Sequence, residues 1–521
     1  MEKIATDTYS FERLRQGGYV YVDKTDILLS LANGSLGTQF FIARPRRFGK
    51  SLTVSTLQCL FEGRRDLFEG LAIEPDWDWS KTWPVIRLDM GTMQGDSPEE
   101  LKRAMVDLVL SEGTRLGVTL DASLDPASVF RNLIWKVAQK GSDGKCVVLI
   151  DEYDKPLLNH LGDSDVERYQ QILKPFYGVV KYTEGVQRFA FITGVSKFSK
   201  VSIFSDLNNL NEFSMDARVA ELFGYTHEEV QVNFPESLKA LAKAYEWSDE
   251  ESFATLVTQY DGYRFHQGGR RMFNPVSIGK CLSAHEIKNF WFETGTPTFL
   301  LKLLKKSPVD LTDVVLDADS FSVYEPAAPA MMPLLYQTGY LTITDSFREG
   351  LTTMYHLGFP NGEVRTAFSK AMANEFSELD PVDSTSLLTQ MVNALRAGDV
   401  NDMLDALSCF FANIPANITV KREKYYQSLF YAVFVLIGAR THAECWTNRG
   451  RVDAVVETAN DVYVFEFKLN DTADAALAQI KAKGYYEKYL RTGKRLTLIG
   501  AAFDAEMRNL SDRQIEVVAQ A

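Results

Sequence analysis

Strand-like and helix-like patterns alternate through the first two hundred residues. Short apolar runs predict strands at 38–43, 85–90, 146–151 and 188–195, and amphipathic stretches predict helices at 51–62, 98–116, 127–139 and 164–180. Regular alternation of this kind is typical of a parallel sheet covered by helices. The pattern therefore predicts an α/β core built on a parallel sheet.

The pattern changes after this core. Residues 216–305 are mostly helical and predict a small helical lid. Farther on, apolar segments at 341–344 and 354–359 flank the polar stretch 345–350 like a hairpin. Helices followed by a hairpin predict a winged-helix-like connector, and helical periodicity returns at 381–420.

Four segments are expected from these changes: a core at 1–215, a lid at 216–305, a connector at 306–420 and a second α/β domain at 421–521. A length of 521 residues suits several domains better than one. Near the start, residues 19–25 alternate like a short strand, and Thr25 is the expected cap of the helix that follows.

The loop between the first predicted strand and helix reads Arg44-Pro45-Arg46-Arg47-Phe48-Gly49-Lys50-Ser51. Strand, loop and helix in this order are the setting of a phosphate-binding loop, in which Lys50 reaches the β- and γ-phosphates and Ser51 holds Mg²⁺. Arg44 stands where such loops usually have their first glycine, so a solvated basic loop is the alternative. The predicted nucleotide contacts are Arg47, Phe48, Gly49, Lys50, Ser51 and Leu52.

Two carboxylates end the third predicted strand. The apolar run 145–150 is followed by Asp151 and Glu152, and ligands of parallel sheets bind beyond the carboxyl ends of the strands. Asp151 is therefore expected to hold Mg²⁺, and Glu152 to polarise the water that attacks the γ-phosphate of ATP. The alternative is a strand that simply ends in solvated acids.

The tail carries a second candidate site. Strands are predicted at 451–457 and 462–469, and alternation places Glu466 and Lys468 on one face. Asp453 is expected across the hairpin near Glu466, so that two carboxylates would bind Mg²⁺ and Lys468 would orient the nucleophile or neutralise charge.

Phosphodiester hydrolysis is the chemistry that this set supports, and a Glu–Lys pair on the exposed face of an edge strand is the alternative. Glu423, on a predicted helix 421–436, is a candidate third acid for the metal. A carboxylate that stabilises the start of that helix is an equal alternative for Glu423.

Charge and composition narrow the class of protein. The net charge of −13 argues against a protein that coats nucleic acid, yet the tail from 421 onward holds 15 basic and 13 acidic residues. Five scattered cysteines include no C-x-x-C pair, which excludes a zinc knuckle from the expectations. The start resembles no signal peptide, and the longest apolar run, 429–438, is too short to cross a bilayer. A cytoplasmic protein without a membrane partner is therefore expected.

Ten short stretches in a fixed order carry a family resemblance: 22–25, 44–51, 149–156, 192–198, 260–265, 274–275, 293–297, 337–341, 450–453 and 465–468. With these stretches the chain resembles bacterial and archaeal proteins that join an AAA-ATPase-like domain to a C-terminal PD-(D/E)xK nuclease-superfamily domain. The resemblance implies an AAA-like core and a restriction-endonuclease-like tail. It also implies that Thr193 or Ser196, and Arg264 in the lid, sense the γ-phosphate, and that an arginine at position 44 is usual in the family.

The leading functional hypothesis is an ATPase coupled to a Mg²⁺-dependent nuclease that acts on nucleic acid, with DNA preferred over RNA. A non-catalytic ATP switch with a binding tail is the second hypothesis, and a regulator acting through the winged-helix-like segment is the third. Self-association into a homo-oligomer is left open by the sequence.

Overall fold

The computed structural model of the chain describes residues 2–93, 97–158, 160–161, 163–197, 209–291, 300–301, 303–304, 314–318, 320–322, 330–377, 380–413, 429–430, 432–438, 445–446, 454–484, 486–504, 506–507 and 509–519. The chain forms two compact units. The first unit comprises Met1–Phe290 and Val315–Gly362, and the second comprises Trp291–Val314 and Glu363–Ala521. Each unit has its own five-stranded sheet.

The sheet of the first unit is parallel, in the order β2-β3-β4-β1-β5. Its strands are β1 (Gln39–Ala43), β2 (Val85–Asp89), β3 (Cys146–Asp151), β4 (Gln187–Gly194) and β5 (Asn211–Glu212). Every residue of β1 and β3 is buried, as expected when helices cover both faces of a parallel sheet. The four strands that the apolar runs predict are confirmed, and β5 is too short for such a pattern.

In the described part of the chain, seven helices precede β1 or connect β1 to β4 along the sequence: α1 (Phe11–Gln16), α2 (Thr25–Ala32), α3 (Lys50–Phe61), α4 (Pro98–Arg115), α5 (Pro126–Ala138), α6 (Lys155–Leu158) and α7 (Val166–Tyr182). The starts of α4 and α5 follow from the sequence, since Ser97 and Asp125 cap the helices with their side chains and proline takes the first helical position. The parallel α/β core is confirmed.

The start of α2 differs from the expectation. Residues 19–24 form no strand, and Thr25 is the first residue of α2 rather than its cap. Asp23 satisfies this helix end instead, because its Oδ1 accepts from the backbone N–H and the hydroxyl of Thr25, at 2.9 and 2.7 Å. The second carboxylate oxygen of Asp23 accepts from the N–H of Ala72 at 2.8 Å, which fastens α2 to a neighbouring loop.

The helical segment after the core contains α8 (His227–Asn233), α9 (Pro235–Tyr245), α10 (Asp249–Tyr260) and α11 (Pro275–Ala284). Their apolar faces share one buried cluster that includes Leu241, Leu256 and Ile278. The amino-terminal residues contact these helices: the Glu2 carboxylate accepts from the N–H groups of Glu236 and Ser237 at the start of α9.

The predicted hairpin is present but longer than expected. Strands β7 (Thr342–Glu349) and β8 (Thr352–Gly358) pair antiparallel, β6 (Val314–Asp317) adds at the side of β8, and α12 (Met331–Gln337) precedes them. The polar stretch 345–350 belongs mostly to β7, and the turn lies at Gly350, which has φ 62°. Polar residues occupy this strand because much of it is exposed.

The second unit contains α13 (Gly362–Ser377, from Glu363 onward), α14 (Pro381–Ala397), α15 (Val400–Ala412) and the helical residues 429–430 and 432–438. Its mixed sheet has the order β13-β12-β11-β10-β9. The strands are β9 (Cys445–Trp446), β10 (Ala454–Glu457), β11 (Asp461–Leu469), β12 (Arg495–Asp504) and β13 (Asn509–Ala519), and α16 (Ala473–Lys483) connects β11 to the parallel strand β12. The α/β tail is thus confirmed, with β11 at the centre of the sheet.

Among the helices that the structure describes, none is both long and apolar enough for a membrane span.

Candidate functional site

The loop at 44–49 leads from β1 directly into α3. Arg47 (φ 68°) and Gly49 (φ 87°) have left-handed backbone conformations, which glycine adopts freely and arginine only under strain. No side chain caps α3 at Gly49. The N–H groups in the first turn of α3 have no acceptor within the helix. They therefore point outward at the N-terminal end of α3. Such a helix end binds anions.

Lys50 is the first residue of α3, directly after this loop. Its side chain is buried, and its Nζ donates to the carbonyl oxygens of Arg44 and Pro45 at 3.1 and 2.9 Å. Burial lowers the pKa of Lys50, whereas the charges of Asp151 and Glu152 act against this change. The ammonium group thus lies beside the two carboxylates that the sequence assigns to the same site.

Asp151 ends β3 as a buried carboxylate. Its Oδ1 accepts from the N–H of Glu152 at 2.9 Å, and its Oδ2 makes no hydrogen bond to any described residue. Burial raises the pKa of Asp151, and the nearby Ser51 hydroxyl and Lys50 oppose the increase. A buried carboxylate oxygen without a hydrogen bond is costly unless a ligand completes it.

These donors fit a Mg²⁺ ion. The free oxygen of Asp151 and the Ser51 hydroxyl are hard oxygen ligands, and Mg²⁺ in nucleotide sites takes its remaining ligands from water and phosphate. Within the described part of the chain, no group of three or more His, Cys, Asp or Glu side chains is placed to hold a metal by itself. A Mg²⁺ ion that binds together with a nucleotide needs only a few protein ligands, because phosphate and water supply the others.

Glu152 has a strained backbone, with φ 49°. The strain turns the chain directly after β3 and leaves the side chain half-buried. Burial raises the pKa of Glu152, and the positive charge of Lys50 opposes this. A carboxylate with a raised pKa accepts a proton more readily, which suits the predicted role as a base.

The structure adds Asp89, which the sequence reasoning missed. Asp89 ends β2 and is the register partner of Asp151. Gly91 follows in the same turn, where its N–H donates to Asp89 Oδ1 at 2.9 Å. A Cβ atom built on Gly91 would lie 2.7 Å from Glu152 Oε2 and 2.9 Å from Asp89 Oδ1. The signal was available, since the predicted strand 85–90 already placed Asp89 at the same edge as Asp151.

Arg44 has a structural role in the place of a glycine. Its Nη1 donates to the carbonyl oxygens of Ala43 and Ser214 at 2.9 and 2.6 Å, and its guanidinium lies 4.3 Å from the ring centre of Phe265. Only 1% of Arg44 is exposed, and burial lowers its pKa to about 10. Because the side chain points into the protein, Arg44 fixes the start of the loop and does not obstruct it.

Phe48 and Arg47 attach the loop to the residues after the core. The buried Phe48 ring contacts the rings of Tyr263 and Phe265, with centroids 4.7 and 5.1 Å away. Arg47 Nη1 donates to the carbonyl oxygen of Phe290 at 2.7 Å. These side chains hold the loop in place, and their contact with a nucleotide stays a prediction.

The expected phosphate sensors make other contacts. The Thr193 hydroxyl donates to the Ile42 carbonyl at 2.9 Å, and the Ser196 hydroxyl donates to Asp154 at 2.6 Å. Arg264 donates its N–H to Thr342 at 2.8 Å, and its side-chain Nε makes no hydrogen bond to a described residue. The sensor roles of Thr193 and Arg264 therefore stay predictions. Of the two side chains, Arg264 is the one with a group, Nε, that makes no hydrogen bond to a described residue.

The tail site lies on the central strand β11. Glu466, with 3% exposed, shares a face with Lys468, whose Nζ is 3.4 Å from Glu466 Oε1. Gln479 on α16 joins them: its Oε1 accepts from Lys468 Nζ at 2.6 Å, and its Nε2 donates to Glu466 Oε1. The alternative of a solvated pair on an edge strand is wrong, because β11 is central and Glu466 is buried.

The opposite face of β11 is apolar, as predicted. The Phe465 ring contacts Phe434 at 4.9 Å, and the Phe467 ring stacks on Phe430 at 4.1 Å. Two of the expected metal ligands, Asp453 and Glu423, lie outside the described residues. The β10–β11 ladder is described from Ala454, which pairs with Phe465.

Comparison with known proteins agrees with this architecture. A family model described as "Predicted AAA-ATPase" matches residues 5–204, and a model of the PD-(D/E)XK nuclease superfamily matches residues 421–513. A protein of Azotobacter chroococcum mcd 1, described as "Uncharacterized protein in vnfD 5'region", is 35% identical over an alignment of 521 positions, and the match covers 98% of each chain. No solved structure matches the chain. The chain belongs to the family of proteins that combine a predicted AAA-ATPase domain with a C-terminal PD-(D/E)XK nuclease-superfamily domain.

Proposed function

We propose that this protein binds and hydrolyses ATP in its first unit and cleaves nucleic acid in its second. For the first unit, the observation that carries the proposal is the buried Asp151 Oδ2 without a hydrogen bond, beside Lys50 and the open start of α3. These three features together supply what a Mg²⁺-triphosphate needs: an anionic ligand, a cation and backbone N–H donors.

The roles in the first unit follow from the contacts. The loop N–H groups and Lys50 would bind the phosphates, and Asp151 and Ser51 would hold Mg²⁺, which supplies charge neutralisation on the phosphate oxygens. Glu152 would accept the proton of the attacking water at its carboxylate. Asp89 and Gly91 would limit the positions open to that carboxylate.

In the second unit, a buried acid on a central strand supports the proposal. Glu466 makes contacts with Lys468 and Gln479 rather than with solvent alone. Glu466 would hold Mg²⁺ together with Asp453, and the metal would supply an activated water and charge neutralisation on the phosphate. Lys468, oriented by Gln479, would neutralise charge that develops on the scissile phosphate.

The test uses the full-length protein with ATP, with plasmid, single-stranded DNA and RNA substrates, and with Mg²⁺ or Mn²⁺. We expect ATP turnover that disappears in Lys50→Ala, and cleavage that disappears in Glu466→Gln and in Lys468→Ala. DNA is the proposed substrate, so cleavage of RNA alone would correct that choice.

Two outcomes would contradict the proposal. If the wild type turns over ATP but cleaves no substrate with either metal, the second unit is a binding module of an ATP switch. If Lys50→Ala leaves ATP turnover unchanged, the ATPase site has been placed wrongly.

A further inference from the structure

Three arginines lie in the loop between β1 and Gly49, and the structure assigns structural contacts to two of them. Arg44 is buried against backbone carbonyls and the ring of Phe265. Arg47 donates to the carbonyl of Phe290. The sequence predicts Arg47 as a nucleotide contact, but the guanidinium of Arg47 already has a protein partner.

Arg46 differs from both neighbours. It is exposed, and its guanidinium makes no hydrogen bond or ion pair with any residue that the structure describes. Among the described residues, the contact recorded for Arg46 is made by its backbone, whose carbonyl oxygen accepts from Asn274 Nδ2 at 3.5 Å. An arginine with five N–H donors and no side-chain partner among the described residues is available to a ligand.

The position of Arg46 in the loop is next to the phosphate-binding cation. Lys50 Nζ donates to the carbonyl oxygen of Pro45, whose peptide bond leads into Arg46. The charge of Arg46 reaches Lys50, because it contributes to lowering the pKa of that lysine. Since Lys50 is the residue that reaches the β- and γ-phosphates in such loops, Arg46 lies at the terminal-phosphate end.

Charge balance gives a reason for a second cation. The negative charges of three carboxylates, Asp151, Glu152 and Asp154, raise the pKa of Lys50. The charge of Asp89 raises the pKa of Asp151 in the same way. A polyanion entering a site with so many acids is repelled unless cations outweigh them. Lys50 alone is a small positive charge against these acids. Lys155 acts on Glu152, and Arg46 is a further cation, whose charge acts on Lys50 itself.

We propose that Arg46 is a phosphate-binding residue that contacts the terminal phosphate of a nucleoside triphosphate from within the same chain. Its planar guanidinium matches the oxygens of a phosphate in a two-pronged contact. A diphosphate lacks the group that Arg46 contacts, so this residue makes the site selective for triphosphate over diphosphate. The inference rests on the proposed ATP site.

The test compares Mg²⁺-ATP and Mg²⁺-ADP binding by titration calorimetry in wild type and Arg46→Ala. A hydrogen bond to a charged group contributes roughly a tenfold change in affinity or more, so we expect ATP binding to weaken about tenfold and ADP binding by less than about threefold. Arg46→Lys keeps the charge but lacks the planar guanidinium, so its affinity for ATP should lie between those of the wild type and Arg46→Ala. Arg103→Ala, an exposed arginine on α4, is the matched control and should bind both nucleotides like the wild type.

The outcomes separate this inference from the proposed function. If Lys50→Ala abolishes nucleotide binding while Arg46→Ala binds ATP and ADP as the wild type does, the ATP site stands and the role of Arg46 is wrong. If Arg46→Ala weakens ATP and ADP equally, Arg46 supplies general charge and no selectivity for the terminal phosphate. If the wild type binds neither nucleotide, both proposals fail.

Discussion

At the scale of single residues, the first site combines groups that are close in the sequence with contacts from residues distant in the chain. Lys50, Asp151 and Glu152 were predictable because strand ends and helix starts are local patterns. The burial of Arg44 was not predictable, since its carbonyl partner at Ser214 is distant in the chain. Asp89 could be placed at the same sheet edge as Asp151 from its predicted strand, but its direct pairing with Asp151 depends on the register between two strands distant in the chain. Long-range pairing decides such contacts.

The buried arginine of the loop gives a prediction about stability. Arg44→Ala should leave the carbonyls of Ser214 and Val219 without their donor and a void beside Phe265. We expect a loss of about 3 kcal/mol in the free energy of unfolding, as for other groups that satisfy buried polar atoms. Urea unfolding checks the value. Arg46→Ala is the matched control and should change stability by less than about 0.5 kcal/mol, because its side chain is exposed. Equal stability of the two variants would contradict this account.

Gly91 gives a prediction about catalysis. In Gly91→Ala the new Cβ would meet the carboxylate of Glu152, so Glu152 must move while Lys50 and Ser51 keep their places. We expect the ATPase kcat to fall about tenfold or more, a part of the effect of general-base catalysis, with little change in KM. Glu152→Gln is the reference and should show the full loss, about a hundredfold. A Gly91→Ala enzyme with wild-type kcat would show that this position leaves Glu152 undisturbed.

The pH dependence of turnover follows from the environment of Glu152. Burial raises the pKa of Glu152, so the acidic limb of the kcat profile should lie above the ordinary glutamate value of 4.5. A base is active when deprotonated, and turnover therefore falls as the pH drops through the raised pKa. A steady-state profile of the wild type measures this limb, and Glu152→Gln should lack it. An acidic limb that persists in Glu152→Gln would belong to another group.

At the scale of elements, predictability depended on how much of the pattern is local. The strands of the core were predictable because both of their faces are buried, which gives continuous apolar runs. The extent of β7 was not, because an exposed hairpin strand tolerates polar residues. The start of α2 was misassigned by one residue, since Asp23 and Thr25 are both of residue types common at helix starts.

The residue before the N-cap of α2 gives a prediction about stability. Asp23 accepts hydrogen bonds from Thr25 and from the N–H of Ala72, so Asp23→Ala removes the side-chain bonds at the start of α2 and a link between segments. We expect a loss of about 2 kcal/mol in unfolding free energy, comparable to the upper end for side chains that bond a helix start. Thermal unfolding measures it. Asp121→Ala, which removes a local contact to Ser123 in an exposed turn, should cost well under half as much.

At the scale of the whole molecule, sequence patterns do not reveal the two compact units of the chain. The first unit is built from two separate stretches, with Val315–Gly362 joining Met1–Phe290. Local patterns mark where the composition changes along the chain, but they do not show which segments pack together. The boundaries at 215, 305 and 420 therefore stay predictions, while the two kinds of domain are established.

Coupling between the two activities is the prediction that belongs to this scale. If ATP governs cleavage, nucleic acid cutting should depend on nucleotide in the wild type and lose this dependence in Lys50→Ala, because the nucleotide no longer binds. Glu466→Gln should abolish cutting and leave ATP turnover within about twofold of the wild type, as expected for independent sites. Parallel assays with ATP, ADP and no nucleotide measure both effects. Cutting that is the same in all three conditions would mean that the chain joins two activities without coupling them.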